Sequence, residues 1–152
     1  MRYRENGELH LDFHGASYVT IKFILERFGN DALRQVLKKM AKEVYYSIYE
    51  RLKKGDTSEL IEHWQHFLSR EKGDFELHKH DDGTIELELR ECPAVRQLKV
   101  LGLPFDPNFC LQTQLLNEAW SEDTPFEIVT EKTGEGSCRQ LIYRKDGKYD
   151  SK

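Results

Sequence analysis

The amino-acid sequence predicts an α+β fold: a helical N-terminal half packed on an antiparallel sheet of two hairpins, with two helices between the hairpins. Apolar residues recur at helical spacing between residues 18 and 68, and the period changes to two after Gly73. Two pairs of short segments in which apolar and polar residues alternate are then separated by two segments that carry helix-start signals. This order is typical of α+β folds with an antiparallel sheet. The 152 residues fit a single domain, 1–152.

Three helices are predicted in the first half. The first covers 18–28 and ends at Gly29; the second begins at Asn30 and continues to Gly55. The third follows Asp56, which together with a glutamate three residues later forms a capping box. We interpret their apolar stripes as core. In order, the stripes are Tyr18, Ile21, Ile24, Leu25 and Phe28; Leu33, Val36, Leu37, Met40, Val44, Ile48 and Leu52; and Leu60, Trp64, Phe67 and Leu68.

The first hairpin turns at residues 81–83. A two-residue loop would place Leu77 opposite Glu88, whereas a three-residue loop pairs Leu77 with Leu87 and keeps one face apolar. We therefore predict the three-residue loop, with Gly83 in the left-handed conformation. The sheet would then have one dry face and one wet face, and His78 and His80 would lie on the wet face.

The second half carries two helix starts of one type. In Cys92-Pro93 and in Asp106-Pro107 a proline takes the favoured first helical position, and Gly102 ends the first of these helices. The second helix is predicted to reach about Glu122. Two closing strands, 126–131 and 138–144, are joined by a glycine-rich turn.

Composition and charge exclude several classes of function. The 23 basic and 27 acidic residues are interspersed and give a net charge of −4, so no basic face for nucleic acid is expected. No apolar run reaches the roughly 20 residues that cross a bilayer, and the N-terminal residues lack the apolar region of a signal peptide. We expect a cytoplasmic protein with three reduced cysteines, no membrane or nucleic-acid partner and a small-molecule ligand.

Cys92 and Cys110 are the main candidate site residues. Cys92 precedes a helix, where free backbone N–H groups and the helix dipole are expected to lower a thiol pKa; the alternative is a small buried residue that ends a strand. Cys110, Gln114 and Asn117 form a polar stripe on the following helix. If that stripe faces inward, a thiol and two amides can orient a small polar ligand; if it faces outward, it is a solvated flank.

Cys138 and Glu131 lie on the closing hairpin. Both of its strands have mixed faces, which is typical of strands that are covered on both sides or that line a pocket. Glu131 is then a candidate general acid, base or ligand, although an exposed strand carboxylate is the commoner situation. The three cysteines lack the paired C-x₂-C spacing of zinc sites, so no metal site and no cofactor is assigned.

The motifs of the second half are similar to those of a known family. Glu91-Cys92-Pro93, Leu101-Gly102, Phe109-Cys110 and a closing hairpin that contains Gly136-Ser137-Cys138 resemble the L-2-amino-thiazoline-4-carboxylic acid hydrolase family. The resemblance implies hydrolysis of a C–N bond in a small cyclic amidine. It also extends to 4-vinyl-reductase-type domains, which bind small molecules and close with a similar cysteine hairpin.

Three functional hypotheses follow. In a hydrolase, Cys92 would act as the nucleophile or an electrostatic partner, with Glu131 as a candidate acid or base and Cys110, Gln114, Asn117 and Cys138 binding the substrate. In a sensor domain, the same residues would hold a small ligand or a metal without turnover. In the third hypothesis the cysteines only pack in the core of an interaction protein. A homodimer would use the exposed part of the long aromatic helix, residues 45–49, unless those tyrosines pack inside.

Overall fold

The computed structural model of the chain describes residues 7–149 and has the predicted α+β fold class. Its α-helices are α1 (Phe13–Phe28), α2 (Asn30–Lys39), α3 (Tyr46–Lys53), α4 (Ser58–Arg70), α5 (Pro93–Val100) and α6 (Leu111–Ser121). A π-helix, Met40–Val44, lies between α2 and α3, and 3₁₀ turns cover Pro107–Cys110 and Lys145–Tyr149. The strands are β1 (Asp74–Lys79), β2 (Ile85–Glu91), β3 (Phe126–Gly134) and β4 (Ser137–Arg144).

The four strands form one antiparallel sheet in the order β1-β2-β4-β3. The pairing of β2 with β4 joins the two hairpins at the centre of the sheet. In the first hairpin Leu77 lies opposite Leu87, as predicted. Gly83 has a φ of 85°, and its N–H donates to the carbonyl of His80 (2.9 Å), which closes the predicted three-residue turn.

The helices cover one face of the sheet. Leu87, Ile128 and Ile142 lie on that face and belong to a buried cluster that includes residues of α3, α4 and α6. Alternate residues such as Glu88 point to the opposite face, which carries mostly charged and half-exposed side chains. This wet face also holds two buried residues at the centre of the sheet, Glu86 and Leu141. The strand period of two thus separates a dry face from a mostly wet one.

A second buried cluster lies beside the sheet. It contains residues of α1, α2 and α5 together with Phe109 and Leu115, and Cys92 packs against it half-buried. The N-cap of α5 and the 3₁₀ turn before α6 therefore approach the end of the central strands. Ala94, Val95 and Phe109 of this second cluster line the candidate site.

The predicted long second helix is interrupted. Tyr45 leaves the helical conformation after the π-helix, and two residues of the predicted stripe are largely exposed, Val36 at 43% and Val44 at 55%. The buried face passes instead through Ala41, whose carbonyl accepts the indole N–H of Trp120 (3.0 Å). A π-turn inserts one residue and so shifts the stripe, which helical periodicity alone does not reveal.

The aromatic segment after the π-helix is mostly engaged within the chain. The Tyr45 ring contacts Trp120 edge to face, and the Tyr49 ring lies beneath the ammonium groups of two lysines. Tyr46 is 60% exposed. Across residues 7–149, no helix has both the length and the apolar character to cross a membrane.

Candidate functional site

Cys92, Cys110 and Cys138 line one cavity of about 90 Å³. The residues come from three separate elements: the N-cap of α5, the end of the 3₁₀ turn before α6, and the second residue of β4. All three thiols are free and half-buried. The structure therefore brings together the three cysteines that the sequence singled out.

Backbone contacts at the second hairpin hold the cavity together. The Cys92 N–H donates to the carbonyl of Gly136 (2.7 Å), which ties the start of α5 to the turn between β3 and β4. Gly136 has a φ of 79°, and a Cβ there would stand 3.2 Å from the Val95 side chain. Both the conformation and the close approach favour glycine at this position.

Burial raises the pKa of the Cys92 thiol, contrary to the expectation from the helix start. The backbone amides of Ala94 and Val95 act in the opposite direction, as predicted, but neither makes a capping hydrogen bond with the side chain. Loss of solvation outweighs the helix N-terminus because the charged form is the one that burial disfavours. Cys92 is therefore a protonated thiol at neutral pH.

The other two thiols are also held in the neutral form. Burial raises the pKa of Cys138 to about 12, with further contributions from Cys92 and Cys110, while a hydrogen bond with Gln140 acts in the opposite direction. Burial raises the pKa of Cys110 too, and the nearby Lys132 ammonium partly offsets this. Cys110 also contributes to the raised pKa of Cys92, in agreement with the cavity that the three thiols share.

A buried amide network supports the cavity wall. Asn117 is 1% exposed and donates its side-chain N–H groups to Thr130 Oγ1 (2.9 Å) and Gln140 Oε1 (2.7 Å). Thr130 and Gln140 line the cavity themselves. Asn117 therefore faces inward, which is one of the two alternatives for the polar stripe. Its hydrogen bonds hold the cavity-lining side chains of Thr130 and Gln140 in place.

Gln114 does not reach the thiol cavity. It lines a separate open groove of about 530 Å³ between α6 and the edge strand β3. Its side-chain amide makes a long bond, 3.4 Å, to Glu118 on the same helix. Of the predicted polar stripe, Cys110 lines the cavity, Asn117 is bonded to residues that line it, and Gln114 does neither.

Glu131 lies on the opposite face of the sheet. Its neighbours Thr130 and Lys132 line the cavity, so the strand alternation directs the Glu131 side chain away from the thiols. The carboxylate is exposed and pairs with Arg139 (3.2 Å). The structure therefore does not place a general acid or base at Glu131 beside Cys92.

Sequence reasoning missed several residues near the thiols. Gln140 and Lys132 both occupy dry-face positions of their strands, and a polar residue at such a position is the signal that could have identified them. The carboxylate of Glu71 contributes to the raised pKa of Cys92 and is bonded to His14 (2.8 Å); both residues are buried. No local pattern connects residues so far apart in the chain.

The three sulfur atoms are not arranged around one point. Within residues 7–149, one group of three metal-ligating side chains has all its ligand atoms within 4.8 Å of one another: Glu76, His78 and Glu88, on the wet face. The cysteine sulfurs are spread more widely, so a metal at the thiols would require their side chains to rotate.

Comparisons of the chain with family models, with curated proteins and with solved structures give no match.

Proposed function

We propose that this domain binds a compact small-molecule ligand in the thiol cavity and does not turn it over. The convergence of Cys92, Cys110 and Cys138 on one cavity supports the location of the site. The three thiols come from separate elements and have a buried amide network behind them, and a few convergent polar groups in a cavity are typical of ligand sites. The proposal takes up the sensor hypothesis rather than the hydrolase hypothesis.

The size of the cavity favours a ligand of few atoms. Its volume of about 90 Å³ is well below the roughly 300–1,000 Å³ of sites for larger organic ligands. A dry cavity of about 150 Å³ accommodates benzene. A ligand with a ring and further substituents would therefore need the cavity to open, whereas a compact soft molecule would not.

The ionisation of the thiols also favours binding over nucleophilic catalysis. The thiolate is the attacking form of cysteine, and activated cysteines have lowered pKa values. Here the pKa of each of the three thiols is raised. The cavity thus offers polarizable, neutral sulfur atoms to a ligand.

Native mass spectrometry of freshly purified protein is the first test. We expect either a retained small mass or, on adding thiazole or imidazole as probes, saturable binding. Limiting iodoacetamide should label the cavity thiols slowly, and a bound probe should slow the labelling further. No binding by any probe, together with labelling that the probes do not affect, would contradict the proposal.

A matched pair of variants at Cys110 distinguishes the effect on binding of filling the cavity from the effect of removing a thiol. Cys110→Leu should abolish probe binding because the larger side chain enters the cavity, while Cys110→Ser keeps the approximate volume and should retain binding with lower affinity. Gln114→Leu introduces the same apolar side chain on α6, outside the cavity, and should leave binding unchanged. Equal binding by all three variants would place the ligand elsewhere.

Hydrolysis of a cyclic amidine is the second candidate. The observation in its favour is Cys92 at the start of α5, where two backbone amides partly counter the effect of burial. In this route the Cys92 sulfur would attack the amidine carbon, and the ring nitrogen would take the thiol proton. The ring carbon–sulfur bond would then break, with the ring sulfur leaving as a thiol. Water would finally replace the Cys92 sulfur at that carbon, giving the carbamoyl product and the free Cys92 thiol. The cavity would have to open, and a proton acceptor other than Glu131 would be needed.

Ring-opening assays decide between the two candidates. Incubation with 2-amino-thiazoline-4-carboxylate should leave the substrate intact if the domain only binds ligands. Formation of the carbamoyl product by the wild type, and its loss in Cys92→Ser with the fold retained, would overturn the binding proposal and establish the hydrolase.

A further inference from the structure

We propose a divalent transition-metal site on the wet face of the sheet, formed by Glu76, His78 and Glu88. Glu76 and His78 are alternate residues of β1, and Glu88 lies directly opposite Glu76 on β2. Two paired strands thus fix the three backbone positions. The site lies on the opposite face of the sheet from the thiol cavity and is independent of the function proposed there.

The ligand atoms already have nearly the spacing that a metal requires. His78 Nε2 is 3.5 Å from Glu76 Oε2 and 3.5 Å from Glu88 Oε2. Zinc binds such atoms at about 2.0–2.2 Å, and tetrahedral ligands at that radius stand roughly 3.4 Å apart. All three atoms lie within 4.8 Å of one another, so an ion fits between them with small side-chain adjustments.

A bound cation would also relieve an electrostatic conflict in the hairpin. Glu76 and Glu88 are direct cross-strand partners, and like charges in that position are destabilising. The two carboxylates supply two negative charges, which a divalent ion balances. The imidazole favours zinc or a similar transition metal over magnesium or calcium, which prefer oxygen ligands.

Arg90 is the cation that competes for these carboxylates. Its closest partner is Asp74, with contacts of 2.8 and 3.1 Å, whereas its bonds to Glu76 and Glu88 are longer, 3.2 and 3.4 Å. The bond to Glu76 uses Oε1 and leaves Oε2 directed at His78. A metal would therefore displace the longest Arg90 contact while Arg90 stays anchored on Asp74.

Titration with Co²⁺ tests the site, because its spectrum distinguishes sulfur ligands from nitrogen and oxygen ligands. We expect the wild type to bind one equivalent, with no thiolate charge-transfer band, and Zn²⁺ to displace it. His78→Ala and Glu88→Gln should each weaken binding at least about tenfold, since each removes a ligand. These side chains are partly exposed, so the variants should fold.

His80→Ala is the matched control. His80 lies two residues further along the same face, but its imidazole is bonded to Glu86 (2.7 Å). We expect this variant to bind Co²⁺ as the wild type does. Absence of saturable binding, equal affinity of wild type and His78→Ala, or a thiolate band would each overturn the proposed site.

Discussion

Cys138 shows how burial controls acid–base behaviour at a single residue. Its pKa is raised to about 12 because the anion would lose its solvation and face two neighbouring thiols. An unfolded cysteine loses its proton near the ordinary value of 9.0. The folded state therefore holds the proton more tightly, and the resulting stabilisation is complete below pH 9 and is lost as the pH rises towards 12.

This linkage predicts a specific dependence of stability on alkaline pH. The free energy of unfolding of the wild type should fall more steeply above pH 9 than that of Cys138→Ala, which has no thiol at this position. Urea denaturation at several pH values up to 11 measures both slopes, and other groups cancel in the difference. Parallel slopes would show that the Cys138 pKa is not raised.

Asn117 is the polar residue on which the cavity wall most depends. Asn117→Ala removes the donor for Thr130 and Gln140, and we expect a loss of about 1–3 kcal/mol in the free energy of unfolding. Gln114→Ala, on the same helix, removes only a long bond at the rim of an open groove and should cost less than about 0.5 kcal/mol. Urea denaturation of the two variants tests the difference, and equal losses would contradict it.

Among the elements, the π-helix Met40–Val44 depends on a contact with α6. The indole N–H of Trp120 donates a hydrogen bond to the carbonyl of Ala41, which lies within the π-helix. Trp120→Phe should therefore accelerate amide hydrogen exchange in residues 40–45 and cost about 1–2 kcal/mol. Mass-spectrometric hydrogen exchange provides the measurement.

Trp64→Phe is the control for this prediction. Trp64 is equally a buried tryptophan of the same core cluster, but it lies on α4. Its replacement should destabilise the protein without a selective increase of exchange in residues 40–45. If both variants affect those amides to the same extent, the Trp120 bond does not hold the turn.

For the whole molecule, the two core clusters are predicted to unfold together. Leu60 belongs to the buried cluster between the helices and the sheet, and Leu98 belongs to the second cluster, formed mainly by α1, α2 and α5. Both side chains are at most 1% exposed, and we consider Leu60→Ala and Leu98→Ala. Each should cost about 2–5 kcal/mol and shift one common thermal transition. Scanning calorimetry that resolved two transitions, with each variant moving only one, would show two independent units.

Local sequence patterns predicted the strands and most of the helices, but not the π-helix that interrupts the second predicted helix. Strand alternation around Gly83 fixed the register of the first hairpin, because a shift of one residue would have put Glu88 on the dry face. The proline after Cys92 marked the start of α5, and the proline after Asp106 marked the 3₁₀ turn that precedes α6. These are local effects of backbone conformation and residue period, so local patterns sufficed to predict them.

Which side chains meet depends on how the elements pack. The pairing of β2 with β4 and the contact of the second hairpin with α5 gather three cysteines that lie up to 46 positions apart, from 92 to 138. Glu131 and Gln114 lie outside the cavity. Which face of a strand or helix lines the cavity depends on the elements packed against it, and the sequence does not identify those elements. The raised thiol pKa values have the same origin, since burial is a property of the assembled fold and outweighs the local helix start.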